Sequence, residues 1–157
     1  MKKALLILLF IGGIATGSIA QEMGDIRLHA SGFYGLRFNE FGVGGGAEYF
    51  FGDRFALMPS YTRLFPQVGN ASNFSVDLRY YLTEGPSQVF VLAGYSQSFQ
   101  NVAPGDPGTR RNFVGANIGV GAYVRLTDWV GLITEFRFQS QQPQEPGFKF
   151  GLAFPIQ

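Results

Sequence analysis

The 157-residue sequence has no cysteine and a single histidine. This excludes disulfide bridges, thiolate zinc sites, a cysteine nucleophile and a lipid anchor carried on cysteine, and it implies no metal or other cofactor. Charge is scarce as well: 15% of residues are acidic or basic, and the formal net charge is +1. A nucleic-acid partner would require a basic face, which such a chain does not have. Beyond residue 20 no apolar run reaches the length of a membrane helix without Gly, Pro or charge, so any membrane crossing must be made by strands. What is abundant is glycine (22), phenylalanine (17) and tyrosine (7), an unusual balance for a soluble domain.

Residues 1–20 read separately from the rest. Lys2 and Lys3 precede an apolar core from Ala4 to Ile14, and Ser18-Ile19-Ala20 offers a small-x-small cleavage site before Gln21, the arrangement of a secretory signal peptide. The apolar run is too short to serve as a spanning anchor. Residues 21–157 then form one domain, and loss of two lysines takes the net charge from +1 to about −1.

Residues 112–126, N-F-V-G-A-N-I-G-V-G-A-Y-V-R-L, interleave two sequences with period two. Val114, Ala116, Ile118, Val120, Ala122, Val124 and Leu126 alternate with Phe113, Gly115, Asn117, Gly119, Gly121, Tyr123 and Arg125. Side chains of a strand alternate between faces, so this is a strand with one wholly apolar face. Its length suits a bilayer crossed at a tilt of about 45°.

The same pattern predicts seven more strands: 25–38, 41–51, 55–65, 74–82, 88–100, 129–140 and one from Gly147 onward. In the third, alternation is less clean, and it holds Pro59, which in a soluble sheet would mark an edge or bulge. In the fifth the register is ambiguous at Phe90 and Leu92. Gly52-Asp53-Arg54 and Thr127-Asp128 read as tight turns, Thr83 to Ser87 as a further turn, and 66–72, 101–110 and 141–146 as longer loops. An even number of strands, with turns alternating with loops, is the pattern of an antiparallel up-and-down transmembrane β-barrel of eight strands, all-β in class, with both termini periplasmic. In the opposite register Asp77, Arg79, Glu135 and Arg137 would face acyl chains, at about 2–4 kcal/mol for each Arg near the midplane. The charged face must therefore be the lumen. Tyr49, Phe51, Tyr80 and Trp129 at one rim, and Tyr34, Tyr61, Tyr95 and Phe138 at the other, fit interfacial girdles.

The run I-G-V-G-A-Y-V-R-L-T-D-W-V-G-L-I-T-E-F-R-F at 118–138, with V-D-L-R-Y-Y-L at 76–82 and L-A-G-Y at 92–95, resembles the small outer-membrane barrel family of OmpX and the OmpA transmembrane domain. The resemblance covers the mature chain in pattern but carries no catalytic signature. It implies a non-enzymatic protein of the Gram-negative outer membrane, inserted by the barrel-assembly machinery. It also implies a lumenal ion-pair role for Glu135, which matches an inward Glu of the family's penultimate strand. Members often end on an aromatic residue, whereas this chain ends Phe154-Pro155-Ile156-Gln157.

The inward ionisable set reads as Arg27, His29, Arg37, Glu48, Asp77, Arg79, Arg125, Glu135, Arg137 and Lys149, six bases against three acids besides the histidine. The interior of an eight-stranded barrel is just wide enough for side chains. Glu48, Asp77, Arg79, Glu135, Arg137 and Lys149 are thus expected to form a lumenal ion-pair network, since unpaired charges there cost several kcal/mol. Read functionally, the excess of bases gives a narrow anion-preferring pore. His29-Ala30-Ser31 places imidazole and hydroxyl on one face, as nucleophilic acyl transfer to lipid A would need, but H-x-S is common and a lumenal site has no access to lipid. Glycines 42, 44, 45 and 46 lack the context of a phosphate-binding loop and read as close backbone packing. A secreted lipocalin-like carrier, with apolar side chains inside and a charged exterior, is the inverse architecture. The expected partners are outer-membrane lipids and lipopolysaccharide, the latter through Arg110 and Arg111 in an exposed loop, with the protein a monomer.

Overall fold

The computed structural model describes residues 23–103, 109–141 and 145–156. The signal-peptide assignment and Gln157 lie outside the described residues. The strands are β1 (Ile26–Gly35), β2 (Glu40–Gly52), β3 (Phe55–Phe65), β4 (Asn70–Tyr81), β5 (Ser87–Ala103), β6 (Thr109–Arg125), β7 (Gly131–Gln139) and β8 (Glu145–Ile156). Each pairs antiparallel with its neighbour in sequence, and β8 closes on β1 from Ile26↔Ile156 to Gly35↔Gly147. Closure pairs each strand with a neighbour on both sides through the belt, while the upper part of β6, before Asn117, runs on beyond its ladder with β7.

Period-two alternation sets the faces as the sequence predicts. Ile26, Leu28, Val43, Leu57, Leu78, Val120, Leu132, Phe150 and Leu152 are exposed on the outer wall, while Arg27, His29, Glu48, Asp77, Arg79, Glu135, Arg137 and Lys149 are buried inside. Phe90 and Leu92, ambiguous in the sequence, both turn inward, with Val89 and Val91 outward. Of the girdle residues, Tyr34, Tyr49, Phe51, Tyr61 and Tyr95 are exposed on the wall, Trp129 is exposed on the connection that follows β6, and Tyr80 and Phe138 are half-buried.

Three expectations are corrected. Pro59 makes neither edge nor bulge. The β2–β3 register is the same on both sides of it, and Pro59 pairs with Val76 of β4 while its ring faces outward. A closed barrel has no edge for it to mark, and the irregularity of this ladder lies at Phe50/Gly52. Four strands also run further than hydrophobicity suggested: Asn70–Asn73, Asn101–Ala103, Thr109–Arg111 and Glu145–Pro146 continue the ladders. These segments are polar because they rise above the apolar belt, not because they leave the sheet. The contrast between long loops and short turns therefore shrinks: residues 36–39, 66–69, 104–108 and 140–144 separate strands at one end, and 53–54, 82–86 and 126–130 at the other. We call these the loop end and the turn end. Both ends of the described barrel lie at the turn end. The third correction concerns Arg37, which is exposed on the β1–β2 connection, and Arg125, half-buried at the last position of β6. Neither belongs to the buried lumenal set.

Glycine makes room for the lumenal contents at two instructive places. A Cβ on Gly121 would strike the ring of Phe90, its cross-strand partner, and one on Gly94 would strike the Val76 carbonyl and Asp77. Gly44 and Gly46 likewise lie against the Tyr61 and Pro59 carbonyls, the close backbone approach expected of that glycine run.

Candidate functional site: the filled lumen and the loop-end rim

Three layers stack inside the barrel. At the turn end Phe50, Ala56, Tyr81, Phe90, Leu92 and Ile133 form an apolar cluster, with Phe50 and Phe90 each tilted against Tyr81 at 5.3 and 5.2 Å between centroids. Arg27 is embedded in this layer. Its guanidinium carbon lies 4.2 Å from the Tyr123 ring centroid and 4.7 Å from that of Phe50, and it donates to Gln88 Oε1 at 3.0 Å. Stacking on ring faces supplies part of what water gave up.

The middle layer holds the charges. Glu48 and Arg79 are fully buried. Glu48 accepts from Arg79 at 3.1 Å and from the Tyr81 hydroxyl at 2.6 Å on Oε1, and its Oε2 lies 3.0 Å from His29 Nε2. Arg79 also donates to Glu135 at 2.7 Å. Arg137 bridges Glu135 and Asp77, reaching the latter at 2.8 Å, and Asn117 donates to the other Asp77 oxygen at 2.9 Å. Two arginines thus serve three carboxylates in one chain, Glu48–Arg79–Glu135–Arg137–Asp77, contributed by β2, β4 and β7. Each carboxylate reaches at least two polar groups, the condition under which buried ion pairs offset their desolvation.

Lys149, grouped with this network on the sequence, stands apart from it. Among the described residues no carboxylate lies within ion-pair distance of its ammonium, which makes a 3.4 Å hydrogen bond to Ser60. Ser31, the partner of His29 in the acyl-transfer reading, does not meet the imidazole, which is committed to Glu48 instead.

At the loop end the lumen opens. Phe33, Leu64 and Ala71 cluster there, and Ser60, Ser75, Asn73 and Ser96 exchange hydroxyl and amide hydrogen bonds at 2.9 Å. A small cavity of about 10 Å3, lined by Arg137, Lys149, Thr62 and Asn73 among others, lies below a mouth cavity of about 140 Å3 that includes Glu40, Gln100, Gln139, Gln141 and Glu145. The two share Leu64 and Gln139.

Outside this mouth, a notch of about 470 Å3 runs from β3 to β6, lined by Arg63, Asn70, Ser72, Phe99, Arg110, Arg111 and Asn112 among others. Arg110 and Arg111 therefore sit in a strand rather than a loop, and Arg63 joins them. Arg63 was obscured because it lies in the strand whose alternation Pro59 blurred. The Tyr81 hydroxyl was missed for a different reason: its place on the inward face was legible, but nothing in sequence reveals that it reaches Glu48 across the lumen.

No known protein family matches the chain, and no curated protein does. Solved structures do. The N-terminal β-barrel domain of Pseudomonas aeruginosa OprF superimposes with a TM-score of 0.76 at 22% identity, covering 87% of this chain and 100% of that one. Neisserial surface protein A gives 0.62 at 14% identity, with 90% and 99% covered. Ail, the attachment invasion locus protein of Yersinia pestis, in complex with the heparin analogue sucrose octasulfate, gives 0.62 at 11% identity, with 85% and 97% covered. By architecture, this chain has the fold of the small eight-stranded outer-membrane β-barrels.

Proposed function

We propose that the protein is a non-enzymatic integral barrel of the outer membrane with a structural or contact-making role, its lumen closed by the Glu48–Arg79–Glu135–Arg137–Asp77 network and the aromatic layer below it. One observation carries this reading: the barrel is inverted relative to a soluble protein, with apolar side chains on the outer wall and ionised ones inside. Only a hydrocarbon surround makes that arrangement favourable, because a water-filled exterior would leave the belt of Phe, Leu, Val and Ile unburied. A lipocalin-like carrier has the opposite polarity. Catalysis is not supported, since His29 is closed in among buried partners away from any lipid.

The termini lie periplasmic in this reading, the loop end faces the exterior, and Arg110 and Arg111 contact lipopolysaccharide phosphates. The protein works as a monomer after insertion by the barrel-assembly machinery. The test is electrophoresis of the outer-membrane fraction in SDS with and without boiling. A heat-dependent mobility shift is expected; a protein found in the soluble periplasmic fraction and unshifted by heat would refute the proposal.

A second reading, a narrow anion-preferring pore, draws on Lys149, a buried cation beneath the mouth cavity without a carboxylate partner among the described residues. Single-channel recording in planar bilayers separates the two. The structural reading expects no conductance, because the turn-end aromatic layer blocks the path.

A further inference from the structure

The notch outside the mouth is built from a strand register rather than from a loose cluster of charges. Arg63 of β3 pairs with Ser72 of β4, Ser72 with Phe99 of β5, and Phe99 with Asn112 of β6. One row across four strands therefore presents guanidinium, hydroxyl, phenyl and amide. The next row brings Asn70, Asn101 and Arg110 together in the same way. All of these line the 470 Å3 notch, and among the described residues no carboxylate does. Arg63 is held in place by donating to Asn70 Oδ1 at 2.8 Å. Among the described residues neither Arg110 nor Arg111 has a side-chain hydrogen bond or ion pair. Phe99 is 43% exposed, leaving part of its ring open among the described residues.

We infer that this notch is a binding site for a phosphorylated saccharide, supplied as the headgroup of a lipid in the same outer leaflet. The inference rests on the outer-membrane reading given above. The arginines account for the phosphate, and two further features point to a sugar rather than to a bare phosphate. Guanidinium groups recognise phosphate oxygens through paired, charge-assisted hydrogen bonds. The amides and hydroxyl of Asn70, Ser72, Asn101 and Asn112 offer both donors and acceptors, which suits sugar hydroxyls and has little use on a phosphodiester. The exposed Phe99 ring offers an apolar platform for the carbon face of a pyranose, with the polar groups arranged around it. Position selects a lipid-borne source. On β6 the outward series runs from Leu126 up to Val114 in apolar side chains and becomes polar at Asn112 and Arg110, the level at which acyl chains give way to headgroups. The site is thus larger than the Arg110–Arg111 pair and is centred on Arg63, Phe99 and Arg110.

The test uses the full-length mature protein in detergent, titrated by native mass spectrometry with lipid A, a bis-phosphorylated disaccharide lipid, and in parallel with phosphatidylglycerol, which has phosphate but no sugar. Preference for lipid A is expected. The double variant R63A/R110A should bind lipid A at least about tenfold more weakly, the scale of one lost charge-assisted contact. Phe99→Leu should weaken lipid A severalfold while leaving phosphatidylglycerol unchanged. Arg54→Ala, at the opposite end of the barrel, should change neither. Equal binding of the two lipids, or undiminished lipid A binding by R63A/R110A, would overturn the site. Tighter binding of a soluble sulfated polysaccharide than of lipid A would overturn the lipid source. The heat-dependent mobility shift is measured on every sample. Its loss in the wild-type protein would mark failure of the membrane reading, whereas a normal shift with unaltered lipid binding would mark failure of the site alone.

Discussion

The two halves of the lumen solve the same filling problem with different chemistry. The turn-end half is packed with rings, Phe50, Tyr81, Phe90 and Tyr123, with Arg27 stacked among them. The loop-end half is lined by Ser60, Ser75, Asn73, Ser96, Asn117 and Gln139, and retains cavities of about 10 and 140 Å3. The five-member charged chain lies between. The difference teaches that closure and hydration are separated along the barrel axis: rings close the turn end, while small polar side chains leave a vestibule open to the loop end. Lys149 lines the small cavity at the floor of that vestibule, where water can solvate an ammonium that has no carboxylate within ion-pair distance among the described residues.

The sharpest way to break this division is at its boundary. Among the described residues Arg79 is the one guanidinium shared by Glu48 and Glu135, so Arg79→Ala leaves two buried carboxylates short of a partner. Breaking a buried pair costs about 3–5 kcal/mol. Urea unfolding of the protein in lipid vesicles should show a loss of that order. A loss below about 1 kcal/mol would mean that water already solvates the pair.

Next comes the turn-end layer. Phe90→Ala removes a ring that covers Gly121, packs on Tyr81 and lies 4.6 Å beneath the Arg79 guanidinium. A cost of about 3–5 kcal/mol is expected, as for other large-to-small core changes. In planar bilayers the double variant Phe50→Ala with Tyr123→Ala should conduct where the wild-type protein does not. If it remains silent, the charged layer alone seals the lumen. The loop-end half should be more forgiving. Ser60→Ala removes hydrogen bonds to Ser75 and Lys149 beside an existing cavity, and should cost only about 0.5–1.5 kcal/mol.

Much of this division was legible in the sequence, because alternation dictates which side chains enter the lumen and the chain order dictates which end they occupy. Glu48, Asp77, Arg79, Glu135 and Arg137 all lie on inward positions for that reason. Their pairing was not legible. It depends on the tilt and stagger of strands around the barrel, which bring β2, β4 and β7 to one level, and a linear pattern of twos does not encode stagger. The same limit explains Lys149. It pairs with Glu135 in the β7–β8 register, yet its ammonium points to Ser60 of β3 across the lumen. The strand ends were misjudged for a simpler reason. Hydrophobic alternation reports the belt, and stops where the belt stops, while the hydrogen-bonded ladder continues through Asn101 and Arg110.

The smallest effect expected lies at the mouth, where the vestibule meets the exterior. On β8 the exposed apolar series begins at Phe148, so Glu145 stands on the loop side of the belt. Burial, reinforced by the neighbouring Glu40, pushes its carboxyl up to about 7. Its Oε1 has no hydrogen-bond partner among the described residues and lies against Gly35, as suits a carboxyl that is partly protonated near neutrality. A carboxyl with a raised pKa binds its proton more tightly in the folded protein than in the unfolded chain. Between pH 4.5 and about 7 the folded state therefore holds more protons, and stability from this group falls as pH rises through that window and levels off above it. Glu145→Gln mimics the protonated form and should flatten this part of the pH profile, with its gain over wild type visible at pH 8 and absent near pH 4. Urea midpoints measured across that range decide the matter: a variant whose profile stays parallel to that of the wild-type protein would place the titration elsewhere in the mouth, with Glu40 the next group to replace.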